Sequence, residues 1–198
     1  SAMLTSALAG CGGSSASTDN GGSSADSGDA YNISVIVKLT DSHFNRVIAG
    51  AKAYADEHDN VNVDIQSPTA ATSYDEQVNM IETAVGNPST NAIVVAPLQS
   101  DSASTLIANT DKVVIALDTD FASEKKSAFV GTGNESASKE AAVAAVKKVQ
   151  DSGVDKPTVL IVTGVQGDET HEARLRGYRD AIEAAGGQVL EVQYTDTM

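Results

Sequence analysis

Acidic side chains follow two apolar runs that have the length of buried strands. Asp118 and Asp120 end one run, and Asp41 follows the other with Phe44 close behind it. In open parallel sheets, ligands bind at the edge where the carboxyl ends of the strands meet. Carboxylates accept hydrogen bonds from adjacent hydroxyls, and an aromatic ring packs on the C–H face of a sugar-like ring. These residue types therefore favour binding of a polyhydroxylated ligand.

The same carboxylates have alternative roles. Asp41 also suits the N-cap of the following helix, and both roles can hold at once. Asp118 is a stronger ligand candidate, because a buried strand gains nothing by ending in an isolated carboxylate. The triplet Asp118-Thr119-Asp120 also matches the pattern with which some glycosyltransferases hold a divalent cation and a sugar nucleotide, so an enzyme is the alternative from another class.

A second polar group opens a helix later in the chain, in the stretch GVQGDETHEARLR (residues 164–176). Arg174 or Arg176 could project from this helix as a bidentate donor to a ligand. The alternative is that both arginines are solvated or pair with Glu172 and Asp180 on the same helix.

Other chemical signals are weak. The three histidines lack the spacing of metal ligands, and the stretch Gly131-Thr132-Gly133-Asn134 lacks the third glycine of a dinucleotide loop. Neither a nucleophile elbow nor a Walker loop occurs. The sequence therefore predicts no metal, no cofactor and no enzymatic activity.

The composition restricts the partners. The chain has 198 residues, 41% of them apolar, which is enough for a hydrophobic core. Its formal net charge of -14 makes nucleic acid an unsuitable partner, because phosphate binding needs a basic face. A single cysteine excludes an internal disulfide framework.

That cysteine, Cys11, ends the run LAGC, which resembles the lipobox of bacterial lipoproteins. The resemblance implies that residues 1–11 are the remnant of a lipoprotein signal peptide and that Cys11 carries a lipid anchor. A chance match in a flexible tail is the alternative. Residues 12–30 are mostly Gly, Ser, Ala and Asp, which predicts a disordered linker.

Beyond the linker, strands alternate with helices, which predicts an α/β fold with parallel sheets and helices on both faces. The predicted strands are residues 33–39, 61–66, 92–96, 113–117, 128–130, 159–163 and 189–194. The predicted helices begin near residues 42, 74, 100, 135 and 170.

The stretch after Leu117 predicts a hinge. The connection to the next apolar run is charged, lacks a helix and is too short for an ordinary crossover within one sheet. The strand at 128–130 should therefore begin a second lobe, which gives a first lobe at 31–122 and a partial second lobe at 123–198. If the segments on either side of Phe121 lay side by side in one sheet, this would count against a two-lobe receptor.

Taken in order, several stretches resemble the type I periplasmic sugar-binding proteins of ABC transporters, and most closely the ribose-binding group. The stretches are ISVIVKLTDSHFNRVIAGAKAYA, TSYDEQVNMIETAV with NAIVVAPLQSDS, VVIALDTD, FVGTGN and EARLRGYRDAI. The resemblance implies two Rossmann-like lobes that trap a sugar between them. Members of the family continue beyond the position of Met198, so the second lobe is expected to be incomplete.

The resemblance also implies a set of ligand-binding residues. Asp41 and Phe44 correspond to first-lobe contacts, Asp118 to the carboxylate that takes two sugar hydroxyls, and Arg174 to the second-lobe clamp. The remaining members of the predicted set are His43, which stands at an often aromatic position, Thr119, which stands where ribose binders often carry Arg, and Asn134.

The resemblance therefore predicts an extracytoplasmic lipoprotein of Gram-positive type that captures a monosaccharide for an ABC permease. A sensor module that presents a sugar to a membrane receptor is the alternative. Uncovered sheet edges and helix faces in this chain predict that it self-associates.

Overall fold

A computed structural model describes residues 30–195 of the chain. The predicted lipobox with Cys11 and residues 12–29 of the predicted linker lie outside the described residues. The elements are β1 (Tyr31–Ile36), α1 (Phe44–Glu57), β2 (Val61–Gln66), α2 (Tyr74–Gly86), β3 (Ala92–Val95), α3 (Ser100–Leu106), β4 (Val113–Leu117), β5 (Lys126–Val130), α4 (Asn134–Asp151), β6 (Thr158–Thr163), α5 (Glu169–Ala184) and β7 (Gln188–Tyr194).

The first five strands form one parallel sheet in the order β2-β1-β3-β4-β5. Its strands are apolar on both faces because helices cover both faces. Ile36, Ile93 and Val114 point to one face and pack with residues of α2 and α3. Val35 and Val37 point to the other face and pack with the start of α1. This layering places the carboxyl ends of β1, β3 and β4 at one edge.

The prediction that the strand after Phe121 begins the second lobe is wrong, because β5 pairs in parallel with β4 in the first sheet. The connection between the two strands needs no helix. Phe121 is 2% exposed and packs into the same core cluster as α2 and α3, so it covers the sheet as a crossover helix would. The chain leaves the first unit only after Val130.

The second unit consists of α4, α5 and the two-stranded parallel sheet β6-β7. The two helices pack closely at Gly177, where an added Cβ would lie 2.2 Å from the carbonyl oxygen of Glu135. One face of the sheet is open: Leu160, Val162 and Leu190 are 66%, 71% and 61% exposed. The predicted α/β fold with parallel sheets is confirmed, and the second unit has only these two strands among the described residues.

Across residues 30–195, every helix is too short or too polar to cross a lipid bilayer.

Candidate functional site

A cleft of about 250 Å³ lies where the first unit faces the N-terminal end of α5. The β1–α1 loop and the residue after β4 form one wall, and the first turns of α5 form the other. The lining residues are Lys38, Leu39, Asp41, His43, Phe44, Asp118, Thr170, His171 and Arg174. Five of the residues predicted from the sequence therefore meet at one place.

The β1–α1 loop is shaped by Asp41. One carboxylate oxygen, Oδ1, accepts a hydrogen bond of 2.8 Å from the backbone N–H of Phe44. The neighbouring N–H, that of Asn45, bonds to the carbonyl of Asp41 over 2.9 Å. Asp41 thus closes the start of α1 as an N-cap would and still lines the cleft, so its two predicted roles are compatible. Phe44 is 4% exposed and joins the core as well as the cleft.

Asp118 lies at the centre of the first-unit wall. Its backbone has a φ of 61°, a left-handed conformation that is uncommon for a non-glycine residue. Its N–H bonds to the carbonyl of Val130 over 2.8 Å, which ties the bend to β5. The carboxylate Oδ1 lies 3.0 Å from Nε2 of His43, whose ring meets Phe44 edge-on at 4.9 Å between centroids.

The other wall contributes Arg174. Its Nε donates a hydrogen bond of 3.0 Å to Oδ1 of Asn134. Arg176 instead pairs with Glu135 at 2.9 Å and with Glu169. These two hydrogen-bonded carboxylates raise the pKa of Arg176. Arg176 is thus held by structural ion pairs, which leaves Arg174 as the arginine of the cleft.

Two predicted ligand residues do not line this cleft. Thr119 is 0% exposed, and its hydroxyl oxygen lies 2.7 Å from that of Thr170. Asn134 lines a separate cavity of about 460 Å³, together with Asp120 and Arg176. A long-range partner holds each residue: Thr170 for Thr119 and Arg174 for Asn134.

Four further residues that line the cleft were not predicted: Lys38, Leu39, Thr170 and His171. Lys38 forms an ion pair with Asp168, a residue that does not line the cleft, and the two side chains are 4% and 0% exposed. The sequence did contain one signal, because Lys38 interrupts the apolar run ISVIVKL, where a buried charge needs a partner. The identity of that partner was not visible, since the two residues are 130 positions apart.

His171 is 9% exposed on the α5 wall. Burial lowers the pKa of its imidazole, because the charged form loses hydration. The carboxylate of Asp168 acts in the opposite direction, while the positive charges of Lys38 and Arg174 lower the pKa further. The cleft thus favours the neutral imidazole, which can both donate and accept a hydrogen bond.

The acidic triplet does not act as a unit. Asp118 lines the cleft, whereas Asp120 binds the ammonium of Lys126 and accepts a hydrogen bond of 2.8 Å from the N–H of Phe121. Within residues 30–195, no group of three or more His, Cys, Asp and Glu side chains is arranged to hold a metal ion.

A family model described as periplasmic binding protein domain matches residues 33–198. The chain belongs to the periplasmic binding protein domain family. Family and fold are those of substrate-binding transport proteins, and the predicted resemblance to type I periplasmic sugar-binding proteins is confirmed. The comparison with curated proteins found no match.

Solved structures share the fold of this periplasmic binding protein domain. A carbohydrate transporter solute-binding protein from Agrobacterium radiobacter, in complex with D-arabinose, is 24% identical with a TM-score of 0.72, over 84% of this chain and 58% of that one. An ABC transporter solute-binding protein from Agrobacterium vitis, with bound D-fucose, is 27% identical with a TM-score of 0.69, over 82% and 57%. The chain thus spans a little over half the length of these structures.

A third similar structure is the fructose-binding periplasmic domain of a hybrid two-component system, at 17% identity and a TM-score of 0.67, over 82% of this chain and 53% of that one. Pairing of the strands on either side of Phe121 was expected to count against a two-lobe receptor. These strands do pair in one sheet, yet the chain still matches the periplasmic binding protein domain family. The chain leaves the first unit one strand later than predicted, so this pairing does not argue against the family.

Proposed function

We propose that this chain is the ligand-capturing part of an extracytoplasmic solute-binding protein, which takes a neutral monosaccharide into the cleft for an ABC importer. In this role the protein binds the sugar and does not catalyse a reaction. The sugar stabilises the closed arrangement of the two units, and a permease recognises that arrangement.

One observation carries this proposal: groups suited to a sugar converge on the cleft from both units. Asp41 and Asp118 supply carboxylate acceptors, Arg174 supplies guanidinium donors, and Phe44 supplies a ring. Ligand sites combine apolar walls with a few converging polar groups in this way. The volume of about 250 Å³ lies just below the usual range for drug-sized ligands, which favours a small one.

The proposal includes a lipid anchor at Cys11, which would tether the protein outside the membrane in the Gram-positive manner. Its support is the sequence LAGC followed by a Gly- and Ser-rich stretch. The description of the family, periplasmic binding protein domain, agrees with this location. A lipid at the N-terminus would leave the cleft free to bind its ligand.

Sensing is the second candidate function, because the fold also occurs in the fructose-binding domain of a two-component system. In that case the closed form would be presented to a membrane receptor instead of a permease. Pull-down with each type of partner, in the presence of the bound sugar, distinguishes the two roles.

A thermal-shift screen tests the proposed ligand class. The panel contains D-arabinose, D-fucose, D-allose and D-fructose, with UDP-glucose plus Mn²⁺ as the glycosyltransferase arm. We expect at least one monosaccharide to raise the melting temperature, since a ligand at 100 times its Kd adds about 2.7 kcal/mol of stability. Sorbitol at the same concentration is the control for general stabilisation by excluded solutes. Stabilisation by UDP-glucose with Mn²⁺ alone would contradict capture of a free sugar.

A further inference from the structure

A buried ion pair joins the two units. Lys38 follows β1 in the first unit, and Asp168 precedes α5 in the second. The ammonium donates to Oδ2 of the carboxylate, and the two side chains are 4% and 0% exposed. Salt screens a buried ion pair much less than it screens an ion pair on the surface.

Asp168 has a second bond that couples this ion pair to α5. Its other carboxylate oxygen accepts a hydrogen bond of 2.8 Å from the N–H of Thr170, so Asp168 is the N-cap of the helix. The helix carries Thr170, His171 and Arg174 into the cleft. The ion pair with Lys38 fixes Asp168 and therefore positions the wall of the cleft that the second unit contributes.

A second contact between the units lies beside the first. The hydroxyl of Thr119, after β4, lies 2.7 Å from the hydroxyl of Thr170, and both residues are buried. The two contacts converge on the first turn of α5 from two different strands of the first sheet. Rotation of the second unit away from the cleft would break both of them.

The ion pair suits a reversible contact. Within the closed cleft, each charge needs the other, because an unpaired buried charge is strongly unfavourable. When the units separate, both charges regain water, which offsets much of the lost attraction. The free energy of a partly closed state, in which the charges are separated but still buried, is thus higher than that of the fully open state, in which both charges are hydrated.

We propose that Lys38 and Asp168, supported by Thr119 and Thr170, form an inter-unit latch that stabilises the closed arrangement of the two units relative to the open one. Lys38 and Asp168 are positioning residues: they place His171 and Arg174 opposite Asp118. The effect of the latch on affinity rests on the proposed sugar-binding function. A latched cleft requires less of the binding free energy for closure, so the latch raises sugar affinity.

Distance measurement between spin labels tests the latch without any sugar. Cysteines replace the exposed Asp59, in the turn after α1, and the exposed Glu183 of α5 in a Cys11→Ser background. Double electron–electron resonance then reports the separation of the units. We expect the parent chain to show a narrow distance population for the closed arrangement. Asp168→Asn removes the charge yet keeps a side chain that caps helices, and we expect a broader, longer population. Lys38→Met should have the same effect.

Lys147→Met is the matched control, because Lys147 forms an exposed ion pair with Asp151 at 2.8 Å within α4. It should leave the distances unchanged. Parent-like distances in both Asp168→Asn and Lys38→Met would overturn the latch. If a charge variant does not fold, Thr119→Val carries the test: a broadened population supports the latch, and an unchanged one contradicts it.

Sugar titration separates this inference from the proposed function. With a sugar that stabilises the parent chain, we expect Asp168→Asn to raise the Kd about tenfold if the closed fraction falls to about one tenth. An equal Kd in a variant with a broadened distance population would show that the latch does not affect binding. If the parent chain shows the narrow distance population but binds no sugar, the latch is supported and the proposed function is contradicted.

Discussion

The polar side chains of the cleft are fixed by contacts with other groups of the protein. Asp41 bonds to the backbone at the start of α1, Asp118 lies against His43, and Arg174 is held by Asn134. Side chains that are already ordered cost less entropy when a ligand binds. The cleft is therefore preorganised for hydrogen bonding from both walls.

His171 should make the stability of the protein depend on pH. Burial lowers its pKa in the folded state below the ordinary value of 6.5, so the unfolded chain binds more protons as the pH falls. The stabilisation is present above about pH 6.5 and is lost as the pH falls through the lower folded-state pKa. We expect His171→Gln to reduce the fall in melting temperature between pH 7.5 and 5.

Calorimetry of both forms across that pH range checks this expectation. Asn109→Gln, which replaces an exposed side chain that does not titrate, serves as the control and should keep the parent profile. Parallel profiles for the parent and His171→Gln would contradict the role given to burial.

The sequence predicted those cleft residues that follow from local position or resemblance, such as Asp41, Asp118 and Arg174. It missed Lys38 and Asp168, because only the tertiary fold brings them together. The placements of Thr119 and Asn134 differ from prediction for the same reason. A hydroxyl or amide can bind a ligand or a protein group equally well, and the local sequence does not reveal which one lies nearby.

Among the elements, α5 is the one on which the second cleft wall depends, and Gly177 sets its distance from α4. A Cβ at this position would lie 2.2 Å from the carbonyl oxygen of Glu135, a backbone atom that cannot rotate away. We expect Gly177→Ala to lower the free energy of unfolding by about 1–3 kcal/mol through overpacking.

Urea denaturation measures this effect. Gly50→Ala in α1 is the matched control, since no atom outside the neighbouring backbone of its own helix lies within 4 Å of the added methyl group. It should raise stability by about 0.5–1 kcal/mol, because alanine favours a helix more than glycine does. Equal effects of the two substitutions would contradict the close contact of α4 with α5.

Hydrophobic periodicity located the helices and strands to within a few residues, but it did not always identify the buried face. Helical spacing places Tyr54 with Val47 and Ala51 on the apolar face of α1, yet Tyr54 is 54% exposed. Gln77 of α2 is 3% exposed, because its amide bonds to the carbonyls of Val37 and Ala96 and to the N–H of Leu98. A polar residue that satisfies backbone groups inside the protein has no periodic signature.

At the scale of the molecule, the open face of β6-β7 is the feature that most affects behaviour in solution. Leu160, Val162 and Leu190 are mostly exposed there, and apolar patches of this kind favour association. We expect the chain to form dimers or larger species at high concentration. The double variant Leu160→Thr with Val162→Thr should shift it towards monomer, because threonine keeps strand propensity while lowering hydrophobicity.

Multi-angle light scattering after size exclusion checks the oligomeric state. Val113→Thr, at an exposed position on the first sheet, is the control and should associate as the parent does. A compact monomer of the parent chain at high concentration would contradict this expectation.

The central claim is that the cleft binds a sugar through Asp118, and calorimetric titration tests it most directly. The titrant is the monosaccharide that most stabilises the parent chain, and the variants are Asp118→Asn and, as a control, Asp101→Asn on the exposed side of α3. Hydrogen bonds to a charged group contribute about 1.5–3 kcal/mol, so Asp118→Asn should weaken binding about 10- to 100-fold. The control should bind as the parent does. Equal affinity of Asp118→Asn and the parent would contradict the account.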